Sequence, residues 1–364
     1  MTSIIIDLKY IAWFVWTAFS FFSMLTIAGL LYKPKTSSVK AGVELVIVTI
    51  ASRRVMKSLL EAIEGARRLG VEPIILTDEG AELIDYLKHV GARLVVVPRS
   101  YRRDLVGKGR AINYFIENSV EPNKWYVFID DDNIVMDDRF MYEIPYYEER
   151  GYAACNPVLK PRMGRSRTTF VMDWIRYLDD ISVFRFFTGL LGKPLVGMHG
   201  ELLCVKGSVL REIGFGFKSI TEDFRFAMEL VRRGYKTWQT STVVSIKSPN
   251  SIGDFMRQRS RWFKGIISDI RYAPLTMKAI VGIRVVMWNV GIIGSWLLSP
   301  LWIYWGSYII ALPGALAYWS IYMYGSYKAR SIVNALITPV YGIIESLSWI
   351  HAVRMDGFHV IDKN

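Results

Sequence analysis

Val43-Glu44-Leu45-Val46-Ile47-Val48-Thr49 is an apolar run broken by one charge, suited to a strand buried on both faces of a parallel sheet. A helical pattern follows at once: Val55, Leu59, Leu60, Ile63 and Leu69 recur among charges, and Gly70 closes it. The alternation continues outward from there. Pro73 to Thr77 reads as the next strand and ends in Asp78, Ala81 to His89 as a helix, Arg93 to Val97 as a third strand and Trp125 to Ile129 as a fourth. Strands and helices in alternation predict an α/β, Rossmann-like, doubly wound sheet. Ligands of such sheets sit outside the carboxyl ends of the strands, here Thr49 to Arg53, Asp78, Arg99 to Lys108 and Asp130 to Asn133. Chemistry is expected there first.

Outside this pattern the chain turns apolar. Of its 364 residues 52% are hydrophobic, and the mean hydropathy of +0.23 is high for a water-soluble domain. Tyr10 to Tyr32 carries no charge, and a helix needs roughly 20 apolar residues to cross the hydrocarbon core. Val285 to Tyr327 is also uncharged and long enough for two spans, with breaks at Pro300 and Pro313. Ser331 to Ile350 carries only Glu345 and fits a span, a re-entrant segment or an interfacial helix equally. The expected organisation is a transmembrane helix at 10–32, a catalytic domain at 41–250 and an amphipathic interface segment at 251–284. Two or three transmembrane or re-entrant helices at 285–353 and a tail at 354–364 complete it.

Lys33, Lys35 and Lys40 follow the first span, and Arg257, Arg259, Arg261, Lys264, Arg271, Lys278 and Arg284 precede the second. The positive-inside rule then makes this an integral membrane protein whose central domain and tail face the cytoplasm. The net charge of +12, clustered beside apolar spans, suits membrane lipid head groups and phosphate-bearing substrates. No helix-turn-helix or zinc-finger spacing supports a nucleic-acid partner. Cys155 and Cys204 are the only cysteines and lack metal-ligand spacing, so no disulfide framework is expected.

Three segments carry chemistry. In Phe128-Ile129-Asp130-Asp131-Asp132-Asn133 three acids gather at a strand end. Adjacent carboxylates repel, and a divalent cation offsets that cost. Mg²⁺ takes one or two carboxylates plus substrate phosphates, so the cluster fits a metal-held nucleotide diphosphate, with a solvated acidic turn as the plainer reading. Ser219-Ile220-Thr221-Glu222-Asp223 opens a helix running to Arg233, with Thr221 as cap and the acids at the positive helix end. Gln258-Arg259-Ser260-Arg261-Trp262 lies in a basic amphipathic stretch that, taken singly, reads as a membrane-surface helix.

In order and spacing these segments resemble family 2 glycosyltransferases of the cellulose-synthase and hyaluronan-synthase type. The likeness spans about residues 43 to 265 and rests on Asp78, Gly107-Lys108-Gly109-Arg110-Ala111-Ile112-Asn113, Asp130-Asp131-Asp132, Thr221-Glu222-Asp223 and Gln258-Arg259-Ser260-Arg261-Trp262. Ile220 to Gly265, and more weakly Gly357 to Lys363, look most like the Egghead-type β-1,4-mannosyltransferases. The triple Asp departs from that subgroup's usual Asp-Glu-Glu, which leaves the sugar open and the metal role intact.

The resemblance implies a GT-A-like domain that moves one mannose, with inversion, from GDP-mannose to a lipid-linked glycan, assisted by Mg²⁺ or Mn²⁺. It implies Asp78 at the base or ribose, Lys108 and Gln258 at the donor, Asp130 on the nucleotide sugar, and Asp132 with Asp130 at the metal. It makes Asp223 the general base, with Glu222 next to it, Arg261 the charge beside the departing diphosphate, and Trp262 the face for an acceptor sugar. His199, in a glycine-rich loop, reads either as an acceptor contact or as an ordinary turn histidine. Lys160, Arg162, Arg165 and Arg167 read as a basic loop, either solvated or facing a lipid diphosphate; Trp174 to Leu191 reads as core packing or an interfacial helix. A processive polysaccharide synthase using a UDP-sugar is the alternative enzyme. A membrane scaffold that keeps the fold is the non-enzymatic one, and the intact acidic motifs argue against it.

Overall fold

The computed structural model describes residues 2–105, 107–287 and 308–354. Strands β1 (Val43–Val48), β2 (Ile74–Asp78), β3 (Arg93–Val97) and β4 (Trp125–Asp130) fall where the sequence pattern expects them. Helix α1 (Thr2–Ile27) precedes them, and α2 (Met56–Arg68), α3 (Ile84–His89) and α4 (Gly107–Ser119) connect them. Then come β5 (Asn133–Val135), α5 (Arg139–Glu148), β6 (Tyr152–Arg162), α6 (Arg167–Asp179) and a π-helix over Asp180–Leu190 that continues it. β7 (Leu203–Lys206), α7 (Gly207–Ile213), α8 (Glu222–Arg232), β8 (Lys236–Lys247) and α9 (Ile252–Asp269) follow. The described C-terminal helices are α10 (Leu275–Val286), α11 (Tyr308–Lys328), α12 (Ile332–Leu336), α13 (Thr338–Ser346) and α14 (Ser348–Arg354).

One eight-stranded sheet has the order β3-β2-β1-β4-β7-β6-β8-β5. β1 to β4 pair in parallel, as expected. The doubly wound reading needs correction beyond β4: β7 runs antiparallel to β4 and to β6, β8 is parallel to β6, and β5 is antiparallel to β8. β6 and β8 escape the sequence pattern for a physical reason. β6 contains Asn156, Pro157 and Pro161, and β8 places Thr237, Gln239, Thr240 and Thr242 inside, so neither reads as an apolar run. Lys160 and Arg162 consequently belong to β6 and not to a basic loop.

β1 shows how the layers form. Val46 and Val48 pack with Phe115, Phe128, Phe215 and Phe226 on one face, while Leu45 and Ile47 pack with Ala62, Ile129 and Trp238 on the other. Alternate side chains of a strand point to opposite faces, and each fully buried aliphatic side chain contributes about 1.5–3 kcal/mol. Cys155 and Cys204 are buried free thiols opposite one another on β6 and β7. Trp174 packs against Phe170, Tyr177 and Tyr324, so α6 is a core helix.

α1 packs on α11 and on the π-helix, α11 on α6, and α14 on α9. Trp16, Ser20 and Thr26 of α1 are buried while Phe14 and Phe21 on its other side are exposed. Among the described residues no helix is long and apolar enough to cross a membrane. The span expected at 10–32 covers the later part of α1 and the 3₁₀ turn Ala28–Leu31. The spans expected within 285–353 fall partly on residues 288–307, and the tail at 354–364 falls on residues 355–364, which lie outside the described residues.

Candidate active site

A cavity of about 1360 Å³ opens at the carboxyl ends of β1, β2 and β4, under α1, the π-helix, α9 and α10. Asp78, Lys108, Asp130, Asp132, His199, Glu222, Asp223, Gln258, Arg261 and Trp262 all line it. The residues expected at the donor, the metal, the acceptor and the catalytic position are thus brought to one place, whereas Lys160, Arg162, Arg165 and Arg167 are not among its lining.

At the end of β2, Asp78 accepts a 2.5 Å hydrogen bond from Arg110, whose guanidinium also donates to the carbonyls of Pro98 and Tyr101. Thr49 donates to Asp131 at 2.6 Å, drawing that acid toward β1. Arg162 donates to the Asp132 carbonyl at 2.8 Å and fixes the turn that carries the Asp132 side chain into the cavity. Among the described residues no group of three His, Cys, Asp or Glu side chains is poised to hold a metal ion alone. Asp130 and Asp132 do face the same cavity, and the charge of Asp132 raises the pKa of Asp130 after burial has done so. Two hard carboxylates in one wall fit Mg²⁺ or Mn²⁺ once substrate oxygens are added.

Lys108 lies 2.9 Å from Asp130 and 3.6 Å from Glu222. Burial opposes its charge, but the carboxylates of Asp130, Glu222, Asp223 and Glu201 outweigh burial and raise its pKa. Burial pushes the Glu222 carboxyl up to about 7; Lys108 pulls it back and the neighbouring Asp223 charge adds to the rise. Gly200 makes this packing feasible. A Cβ there would collide with the Lys108 Nζ and come within 3.2 Å of Asp223 Oδ2.

Asp223 occupies the first turn of α8, where the helix dipole favours a negative charge. Thr221 does not cap this helix with its side chain, contrary to expectation. Its hydroxyl donates instead to Asp269 of α9 at 3.3 Å, because Ser219 already binds that carboxylate and accepts the Thr221 N–H at 2.9 Å. Gly265 of α9 lies against Thr221 so closely that no side chain would fit.

His199 is held firmly. Its Nε2 lies 2.6 Å from the buried Asp180 carboxylate and its backbone N–H donates to Asn156. Burial works against its protonation, and Asp180 overrides burial and raises its pKa. Arg176 pairs with Glu201 and lies 4.9 Å from the centre of the Trp262 ring, with Arg259 at 4.5 Å. The lining also has an apolar part, with Phe19, Phe22 and Ile27 of α1, Leu30 of the 3₁₀ turn that follows it, Val183 and Phe184 of the π-helix, and Val281 and Val285 of α10.

The model of the family described as Glycosyl transferase family group 2 matches residues 125–333, more than half of the chain. The chain belongs to this family. β-1,4-Mannosyltransferase bre-3 of Caenorhabditis briggsae is 26% identical over 245 residues, covering 64% of this chain and 52% of that protein. β-1,4-Mannosyltransferase egh of Drosophila melanogaster is 24% identical over 344 residues, covering 81% and 72%. The chain thus spans about half the length of the bre-3 relatives it matches. These relatives bear out the resemblance to Egghead-type enzymes. Among solved structures, the mannosyltransferase PcManGT from Pyrobaculum calidifontis, in complex with GDP-Man and Mn²⁺, superposes with a TM-score of 0.57 at 14% identity, covering 94% of this chain and 99% of that one. The GT-A-like α/β fold is shared.

Within this glycosyl transferase family 2 chain, sequence reasoning overlooked Arg176, Asp180, Glu201 and Asp269 around the cavity. Each is a charge within or beside an amphipathic segment, and a single sequence does not distinguish its buried side from a solvated one.

Proposed function

We propose that this chain transfers a single mannose from GDP-mannose, with inversion, to a lipid-linked glycan acceptor at the cytoplasmic face of a membrane. One observation carries the reading. A single cavity joins a polar end, built from Asp78, Lys108, Asp130, Asp132, Glu222 and Asp223, to an apolar wall contributed by α1, the π-helix and α10. A nucleotide sugar suits the first end and a lipid-borne acceptor the second. The similarity to the β-1,4-mannosyltransferases bre-3 and egh, and the GDP-Man and Mn²⁺ bound to PcManGT, support the donor and the metal. The apolar, uncharged segments at both ends of the sequence support the membrane.

In this reading Asp223, half-buried in the first turn of α8, takes the proton of the attacking hydroxyl. Glu222, with its raised pKa, is the poorer base at lower pH and holds Lys108 in place. Asp130 and Asp132 would hold the divalent cation, which when bound supplies positive charge beside the diphosphate. Arg261 contributes its own positive charge on the α9 side. Trp262 receives the acceptor sugar, its indole offering an apolar face and an N–H edge.

The test is a thermal-shift panel with GDP-mannose, GDP-glucose, UDP-glucose and UDP-N-acetylglucosamine, each with Mn²⁺ or with chelator. A ligand that binds only the native state raises its melting temperature. GDP-mannose with Mn²⁺ should give the largest rise, and chelator should abolish it. A larger rise with a UDP-sugar would overturn the donor assignment.

A further inference from the structure

Glu345 is the only charged residue between Ser331 and Ile350. An ionisable group kept in an apolar segment marks a functional position with a specific partner. It lies in α13, remote in sequence from every motif of the cavity, yet it borders the cavity and both its oxygens are engaged. Oε1 accepts from Arg259 Nε at 2.9 Å and Oε2 from the Tyr322 hydroxyl at 2.7 Å. Arg259 lies within the Gln-Arg-Ser-Arg-Trp segment, and it is the hub of the arrangement. Its Nη2 donates to Asp173 of α6 at 2.9 Å and its Nη1 to the side-chain oxygen of Gln258 at 3.0 Å. Its guanidinium lies 4.5 Å from the centre of the Trp262 ring and 4.3 Å from that of Phe255.

Stability alone does not call for such a cluster, because well-packed apolar side chains usually replace a buried ion pair at no loss. Joining α9 to the C-terminal helices does not call for it either: Ser260 already donates to the Ser348 carbonyl at 2.8 Å. What the charges add is direction. A guanidinium is a rigid plane, and bonds to α6, α13 and Gln258 on different nitrogens fix that plane in space. Trp262, one turn further along α9, packs against it.

We infer that Glu345 is a positioning residue that sets the orientation of Trp262 through Arg259, so that the C-terminal helices determine how the acceptor sugar is held. The inference rests on the reading of Trp262 as the acceptor contact. Two measurements test it. The first is transfer from GDP-mannose to dodecyl β-D-glucoside by wild type, Glu345→Gln, Trp262→Ala and the double variant. Glu345→Gln should lower transfer about tenfold, as small misplacements remote from the chemistry do, and should cost nothing further once Trp262 is absent. Costs that multiply in the double variant, or a Glu345→Gln enzyme as active as wild type, would overturn it. Absence of transfer by wild type, or full activity of Trp262→Ala, would count against the proposed function instead. The second measurement needs no acceptor: in protein labelled with 5-fluorotryptophan, the ¹⁹F resonance lost in Trp262→Phe should shift or broaden in Glu345→Gln. An unmoved line would overturn the inference. Arg259→Lys keeps the charge without the fork, should behave as Glu345→Gln does, and serves if that variant does not fold.

Discussion

At the scale of single residues, the cavity is governed by how closely one ammonium and four carboxylates are packed. Gly200→Ala would push the Lys108 head group from its place between Asp130 and Glu222. The obstructing atom is the end of a flexible side chain, so the melting temperature should change little while kcat/KM falls by about 10²-fold. Circular dichroism melts and initial rates check both halves. Asp223→Asn keeps shape and removes the proposed base: GDP-mannose should still stabilise the protein, while transfer falls by about 10²-fold or more. Unchanged turnover would shift the base to Glu222. Glu222 itself gives a pH signature. Its carboxyl ordinarily titrates near 4.5 and is raised to about 7 in the folded chain, by burial and by Asp223. Between those values the folded state holds a proton that the unfolded chain has lost, so stability falls as pH rises through that window. Glu222→Gln abolishes this titration and should gain stability relative to wild type from about pH 5 to about pH 8, as followed by denaturant melts.

At the scale of elements, α9 does two jobs with two of its turns. Its middle carries Gln258, Arg261 and Trp262 into the cavity, and its last turns clamp the start of α8 through Gly265 and Asp269. Asp269→Ala would leave the buried hydroxyls of Ser219 and Thr221 without their acceptor, at about 1–3 kcal/mol of stability. It should also lower kcat more than it raises the KM for donor, since the residue it releases is Asp223; steady-state kinetics separate the two. The sequence announced α9 and α8 because motif order and acidic first turns are local signals. It announced β1 to β4 because strands buried on both faces are apolar throughout. β6 and β8 stayed hidden because prolines and buried Thr and Gln side chains mask the period of a strand, and their partners satisfy them only after the sheet has formed. Glu345 was visible as a lone charge. Its partner was not, since the 86 positions separating it from Arg259 are closed only by tertiary packing.

At the scale of the whole molecule, the cavity is walled off where α1 packs on the π-helix and on α11. α1 supplies part of the apolar wall of the cavity that Glu222 and Asp223 also line. Removing residues 2–31 should therefore leave GDP-mannose binding intact and abolish transfer to a lipid-linked acceptor, readable by thermal shift and by product mass. With α1 present, incubation with excess donor should yield a product heavier by one hexose; a ladder of hexoses would favour a processive synthase. Closure of this wall also has a kinetic side. α1 packs on α11, far away along the chain, whereas β1 to β4 pair across much shorter stretches. Contacts distant in sequence are slow to form. During refolding, the sheet with its nucleotide end should be complete while the wall is still open, and in that interval water competes with the acceptor. A refolding sample should accordingly release free mannose from GDP-mannose in a brief burst that fades as α1 docks, so the docking of this one helix would also end a wasteful phase of hydrolysis.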